Sequence, residues 1–425
     1  MNIDASTAPD SYLVRAGGQL NATGATTQRI RANAGSELNL QGTTVDGGTL
    51  EGVTLISANG TISGNSSIRA DLFGLSLARQ GVVGSTVTVS DSHIEGGQGD
   101  LGAFSYALAQ RGNDWFLDGS SKVISPGTAS VLALFNTAPT VWYGELTSLR
   151  GRMGELRLDE RKAGAWARAY GNQYNVGEQA GYKQTQQGFS LGADTPLPWG
   201  DGQWLAGVMA GHSSSDLNLT RGGSAEVKSY YLGLYATWLD AGSGYYFDGV
   251  VKLNRFDNDS KVTLSDGERA KGSYDNLGVG GSVEFGRHIA LGDGYFVEPY
   301  TQWSAVSIAG KDYSLDNGLK AHGDDTRSLL GKAGATLGRT FDLGEGRFAQ
   351  PYLRVAYAHE FVSSNEVKVN DHRFDNDLAG SRGELGVGIA VALDERLQMH
   401  ADFDYSNGER IEQPWGANIG VSYRW

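Results

Sequence analysis

The chain has 425 residues, a formal net charge of −13, no cysteine, 62 glycines and only 8 prolines. The acidic balance excludes a nucleic-acid partner, which needs a basic patch. No window offers ~18 uninterrupted apolar residues, so there is no transmembrane helix. High Gly, 19 Tyr and 9 Trp with little Pro fit a large β-protein.

The start, MNIDASTAPDSYLVRAGG, lacks a basic n-region and an apolar h-region. For an exported protein the signal peptide would then precede this numbering. Residues 1–99 are rich in Gly, Ser, Thr, Asn and Val. SELNLQGTTVDGG, from Ser36, realigns with STVTVSDSHIEGG, from Ser85, at an offset of 49. Val14, Leu38, Ile62 and Val87 each open a similar short motif, which gives half that spacing. A period near 24 or 25 predicts about four stacked coils of a parallel β-helix. Residues 100–127 contain DLGAFSYALAQRGNDWFLDG, two strands around Arg111-Gly112-Asn113, suited to cap the open end of those coils.

Residues 128–162 change period. Val131, Phe135, Ala138, Trp142, Leu146, Leu149, Met153 and Leu156 recur at spacings of three and four, an amphipathic helical stripe. Pro139 should start or kink the helix, leaving a continuous part at about 138–157. Arg150, Arg152, Arg157, Arg161 and Lys162 crowd its end, where cations suit the dipole.

From 163 to 425 the period is two, in twelve alternating segments. In SGYYFDGVVKLN, Tyr245, Phe247, Gly249, Val251 and Leu253 oppose Tyr246, Asp248, Lys252 and Asn254. Short links (DAGSG, LGDG, LGEG) alternate with long polar ones (SSSDLNLTRGGSAE, DNDSKVTLSDGERAKGS, SSNEVKVNDHRFDND). That fits a membrane barrel with small periplasmic turns and larger outer loops. One strand face carries Arg168, Asp194, Asp248, Lys252, Glu284, Glu298, Lys332, Arg354, Glu384, Asp402 and Arg424, beside many glycines. The even count, the aromatics at strand ends and the Gly-rich polar face favour a wet lumen and a lipid-facing exterior over a soluble sandwich. The upstream helix is the obvious lumen occupant. The last strand, ANIGVSYRW, sets Ile419, Val421, Tyr423 and Trp425 on one face, and Gly420, Val421, Tyr423 and Trp425 form the expected signal for outer-membrane insertion.

TVWYGELTSLRGRMGELRL, AGAWARAYGNQ, GFSLGADTPL, GYYFDGVVKL, FVEPYTQW, AQPYLRVAYAHEF, RGELGVGIAVAL and SYRW together resemble the translocator of monomeric, pertactin-type autotransporters. The resemblance covers the C-terminal two thirds of the chain. DLGAFSYALAQRGNDWFLDG resembles the family's passenger junction, and residues 1–99 look like a much shortened passenger. It implies an all-β architecture: a twelve-stranded transmembrane β-barrel with a central α-helix plug, preceded by a short right-handed parallel β-helix. It also implies export of the passenger from C- to N-terminus as a monomer, with outer-membrane lipid, the barrel-assembly machinery and periplasmic chaperones as partners. The passenger would be displayed outside, against host or neighbouring cells. On that reading the Arg cluster of 150–161 faces lumen carboxylates.

Some members of that family cut themselves at a lumen Asn. Asn136, followed by Thr137, is the candidate here; its alternative reading is an N-cap or loop residue ahead of Pro139. G-x-S-x-G, P-loop and H-E-x-x-H motifs are absent, the seven histidines are scattered, and neither cofactor nor metal is expected. Asn370-Asp371-His372 through Asp377 reads as solvated loop charge rather than a calcium loop. A porin-like channel is the alternative from another class, and an outer-membrane protease or esterase a third.

Overall fold

The computed structural model describes the chain except residues 5–10, 16, 28, 33–36, 42–43, 47, 51–53, 59–60, 64–73, 78–87, 91–97, 112–113, 147–161, 178–179, 201 and 266–268. The N-terminal part forms three parallel ladders. One joins Asn2–Asp4, Gln19–Thr23, Glu37–Gln41 and Thr54–Ala58; another joins Ser11–Val14, Arg29–Ala32 and Gly48–Leu50. The third joins Thr26–Thr27, Thr44–Asp46, Thr61–Ser63 and Thr88–Ser90.

In the first coils the spacing is shorter than the 24 or 25 expected, which among the described residues only the later pair Gly74 and Gln98 keeps. Gln19 faces Glu37, Ser11 faces Arg29 and Thr26 faces Thr44, each eighteen residues on. Later rungs lengthen: Gly74 faces Gln98 and Thr61 faces Thr88. The 49-residue alignment equated Leu40 with Val89, yet these sit on different ladders. Compositional likeness between rungs misled it, because each ladder sets an aliphatic residue between polar ones, as in Asn2-Ile3-Asp4, Arg29-Ile30-Arg31 and Thr44-Val45-Asp46. Gln98–Leu101, Phe104–Arg111 and Asp114–Leu117 then pair antiparallel.

Helix α1 spans Pro126–Glu145. Ser125 is its N-cap, accepting from the Thr128 amide (3.2 Å), and Pro126 takes the first turn, where no N–H is needed. This corrects the sequence reading twice. The helix starts earlier, and Pro139 lies inside it rather than at its start. The proline tolerates that position because the helix is held by its surroundings: all its residues but Tyr143 and Gly144 are buried. A helix enclosed on every side has no solvent face, so the expected amphipathic stripe is absent. No helix among the described residues is long and apolar enough to cross a membrane.

Twelve antiparallel strands form the closed ring: β1 Gly164–Val176, β2 Tyr182–Leu197, β3 Gln203–Leu219, β4 Ser224–Leu239, β5 Tyr245–Thr263 and β6 Arg269–Arg287, then β7 Tyr295–Ile308, β8 Thr326–Arg339, β9 Arg347–Glu360, β10 Gly380–Ala392, β11 Leu397–Gly408 and β12 Ile411–Arg424. β1 pairs with β12, Gly164 opposite Arg424 and Val176 opposite Ile411, so no edge is left open. Exposure alternates along the ring. Leu277, Val279, Val283 and Phe285 point out, while Asn276, Ser282 and Glu284 point in.

Two of the three long polar segments read as loops are largely barrel strand, and the third, read as solvated loop charge, holds two short strands of a separate sheet and ends on buried Asn376 and Asp377. β5 and β6 each run 19 residues, against roughly 9–11 needed to cross lipid. The outward face of β5 is apolar at Val251 and Leu253, then charged from Arg255 through Asp257 to Lys261. On β6 the change falls between Asp275 and Leu277. Beyond that line the inward face gains an apolar core, with Phe256, Val262, Ala270 and Tyr274 packed in one cluster with α1, beside buried Asn258 and Ser260. The barrel therefore has lipid-protein patterning in its membrane belt and soluble-protein patterning above it. Four short strands, Lys311–Ser314, Lys320–Gly323, Glu366–Val369 and His372–Asp375, form a small antiparallel sheet from the β7–β8 and β9–β10 connections at the outer end.

Candidate functional site

The site is the contact between α1 and the lumen. Its last turn carries the negative end of the helix dipole and carbonyls open to outside donors, Trp142's already taking the Leu146 amide (3.1 Å). Barrel side chains cap them. Gln186 Nε2 donates to the Val141 carbonyl (3.0 Å), Lys252 Nζ to Trp142 (3.1 Å), Asn172 Nδ2 to Gly144 (3.4 Å) and Arg168 Nη2 to Glu145 (2.6 Å). The Glu145 carboxylate accepts from Lys252 Nζ (2.6 Å), Asn254 Nδ2 (2.6 Å) and Ser213 Oγ (2.8 Å). Glu145 and Lys252 are fully enclosed, and the ammonium also lies over the Trp142 ring, 4.7 Å from its centroid. The charge pairing that the structure shows thus sets a helix carboxylate against barrel cations. The expected arrangement, Arg150, Arg152 and Arg157 against lumen acids, lies outside the described residues, as do Leu149, Met153 and Leu156.

Higher in the lumen the contacts are mixed. Thr140 Oγ1 donates to Gln184 Oε1 (2.6 Å), and Tyr143 meets Ser328 Oγ (2.6 Å). Phe135 stacks on Tyr274 (5.2 Å between centroids), and Val131 is fully buried. Trp142 needs Gly280: a Cβ there would stand 2.5 Å from the indole. Leu146 ends the helix as its C-cap. Asn136 is buried in mid-helix, not at a cap. Its Oδ1 accepts from Tyr182 (2.6 Å) and its Nδ2 donates to Asn376 (3.2 Å), whose own Nδ2 reaches the Leu132 carbonyl (3.1 Å). Thr137 Oγ1 donates back to Ala133 (2.6 Å).

The remaining charged lumen residues are held by neighbouring barrel side chains, some charged and some neutral. Asp248 accepts from Thr237 (2.6 Å), Glu284 from Tyr246 (2.9 Å), Glu298 pairs with His288 (3.1 Å) and Arg354 with Asp404 (2.5 Å). Glu384 takes Lys332 (2.6 Å) and Arg382 (3.1 Å), and Asp402 accepts from Tyr352 and from Asn418 (3.0 Å). Arg424 reaches across β1 to Asp194, passing over Gly164, where a Cβ would stand 2.6 Å from the arginine. Near β1–β5 the lower lumen is less wet than its charges suggested: Trp166, Leu205, Tyr235, Tyr246 and Val250 form a second apolar cluster. A cavity of about 160 Å³ remains beside Tyr143, Gly144, Glu284 and Arg354, room for about five waters at ~30 Å³ each.

In the terminal strand Val421, Tyr423 and Trp425 point outward and exposed, with Tyr423 and Trp425 stacked. Gly420 faces in, and the His400 ring occupies the space its side chain would need. Asn254 already stands on the polar face in the sequence, whereas Glu145, Asn172, Gln184, Gln186 and Ser213 escaped the sequence reading. Their signal was weak: Gln and Asn on an inward parity, and a lone acid at a helix end, where dipole logic disfavours one.

A ring closed at β1 and β12, greasy outside and threaded by one of its own helices, is an outer-membrane translocator barrel. The autotransporter beta-domain family model matches residues 165–404. The chain belongs to that family, and its barrel resides in the Gram-negative outer membrane. It is 37% identical over 290 residues to the pertactin autotransporter of Bordetella bronchiseptica, covering 68% of this chain and 32% of that one. To the autotransporter adhesin/invasin TibA of Escherichia coli it is 38% identical over 308 residues, covering 71% and 31%. The β domain of the Bordetella autotransporter BrkA superposes with a TM-score of 0.55 at 30% identity, over 62% of this chain and all of that structure. The chain thus spans about a third of the length of these curated relatives.

Proposed function

We propose that this chain exports its own N-terminal segment through the barrel and holds it at the cell surface, with α1 left behind as the plug. The observation that supports this most directly is the capped helix end. The chain's own backbone occupies the lumen, and four barrel side chains are arranged for its last carbonyls. Folding of the emergent coils, stacking one on the next, would bias movement outward without a nucleotide. The porin-like alternative requires an unobstructed lumen, whereas α1 is packed against strands throughout its length.

The segment outside acts as an adhesive display module on this reading, a role for which the name of TibA is the support. Passenger and barrel stay covalently joined. Cleavage at Asn136 requires its amide nitrogen to swing onto its own carbonyl carbon, and Asn376 and Tyr182 hold that side chain. Two measurements test the proposal. A cysteine placed at Ser11 should react with a membrane-impermeant maleimide on intact cells; labelling only after lysis would refute export. Mass spectrometry of outer membranes should find the chain uncut between Asn136 and Thr137; a product ending at Asn136 would refute retention.

A further inference from the structure

The lipid-facing wall carries a groove of about 600 Å³ across β4–β7, floored by Ala236, Gly249, Gly281 and Ala305, a volume within the range of small-molecule sites (~300–1,000 Å³). The register makes it: Ala236 pairs with Gly249, and Gly281 pairs with Ala305. Larger outward residues, Leu234, Val251 and Trp303 among them, stand around it as walls. Along β6 the outward column descends from Gly281 through Val283 and Phe285 to Arg287 at the periplasmic end. Arg287 is held in place there. Its guanidinium lies over the Tyr245 ring (4.9 Å to the centroid), and Nε donates to the Ser243 carbonyl (3.0 Å). It has no ion-pair partner among the described residues.

We propose that one glycerophospholipid of the periplasmic leaflet binds here, its phosphate on Arg287 and one acyl chain reaching into the groove. The distances agree. Six residues separate Arg287 from Gly281, roughly 20 Å along a strand at ~3.3 Å per residue. At a tilt near 45° that is about 14 Å of depth, close to half of the ~30 Å hydrocarbon core. A chain anchored by its headgroup at Arg287 therefore ends at the bilayer centre, where the groove lies. The cation selects an anionic headgroup, and the small floor selects for an acyl chain over bare wall. The site owes nothing to the export reading.

The test is native mass spectrometry of the purified full chain, delipidated and then offered phosphatidylglycerol, phosphatidylcholine or lipid A. Wild type should retain one phosphatidylglycerol. Gly281→Leu, whose new Cβ meets nothing closer than 3.3 Å, should lose retention of both phospholipids about tenfold. Arg287→Gln should lose about tenfold for phosphatidylglycerol and little for phosphatidylcholine. Val387→Leu, outward on β10, is the control. Gel mobility before and after boiling verifies folding, and Ala305→Leu replaces Gly281→Leu if that variant fails to close. Equal retention by wild type and both variants, preferential binding of lipid A, or an equal loss in the control would each overturn the site.

Discussion

Replacing Lys252 by Met should unseat the plug. The change removes the ammonium that donates to Glu145 at 2.6 Å and to the Trp142 carbonyl at 3.1 Å. The Glu145 carboxylate keeps only Asn254 and Ser213 as donors, both neutral, in a place from which water is excluded. Breaking a buried pair from one side typically costs 3–5 kcal/mol. The two surviving donors set the expectation at the lower end, about 3 kcal/mol, which is roughly a 100-fold rise in the unplugged fraction. Planar-bilayer recording of the full chain reads this directly as time spent in a high-conductance state. The double variant Lys252→Met with Glu145→Gln removes both charges and should return near wild type, since the penalty comes from the stranded charge. Wild-type conductance in the single variant would refute the anchoring role of the pair. A double variant as leaky as the single would refute the electrostatic account and leave lost packing as the cause.

Gly280→Leu drives a side chain into the Trp142 indole, which would stand 2.5 Å from the new Cβ; overpacking of about 1–3 kcal/mol should raise open time in the same recordings while leaving the boiled-versus-unboiled gel shift intact. Arg424→Ala strands Asp194 beneath the β1–β12 seam, so the barrel should lose its SDS resistance at lower temperature, and Asp194→Asn in the same chain should restore most of it. At the outer end His372 touches Phe104 edge-on (4.8 Å), and burial, then Lys122, hold its pKa below the usual 6.5, with Asp371 opposing. The unfolded state therefore binds the proton more readily, so docking of the junction strands loses stability as pH falls through about 6.5 and below. Trypsin cleavage within 98–124, divided at each pH by its rate on an unstructured Arg peptide, should be faster at pH 5.5 than at 7.5, and His372→Phe should remove that dependence.

The membrane belt was legible because a strand has a strict period of two and each barrel strand meets lipid on one side only. Charged inward positions such as Asp248, Lys252 and Glu284 followed from parity alone. What parity could not show is where lipid ends. DNDSKVTLSDGERAKGS looks like loop because both its faces carry polar residues, inward Asn258 and Ser260 among them, yet inward Val262 and Ala270, flanked by Phe256 and Tyr274, join the apolar cluster around α1. The helix was legible as an element and wrong in phase. Its apolar residues recur at three and four, but an enclosed helix buries Thr128, Ser130, Asn136 and Thr137 as well, so the boundaries rested on Pro139 rather than on the Ser125-Pro126 start signal. The coils were misread in length because every face of a Thr- and Val-rich solenoid resembles the next, and only pairing reveals that Leu40 and Val89 belong to different ladders.

On the export reading proposed above, the two solvent regimes along β5 and β6 would let one pore be passable and then shut. A polypeptide in transit needs a polar wall at membrane depth, where the chain's own carbonyls would otherwise find no donors. The lumen supplies Lys252 and Arg168 within the belt and Gln186 and Asn172 at its outer margin, and the same four hold the last turn of α1. Retention needs the opposite, an apolar grip. That grip lies above the lipid boundary, where Phe135 and Val131 meet Tyr274, Phe256 and Val262 in a core of soluble type. A barrel trimmed to the membrane belt would keep the donors and lose the grip. Shortening β5 and β6 together above Arg255 and Asp275 should therefore leave a ring that folds yet conducts, because the polar contacts alone return to water whatever they take from it.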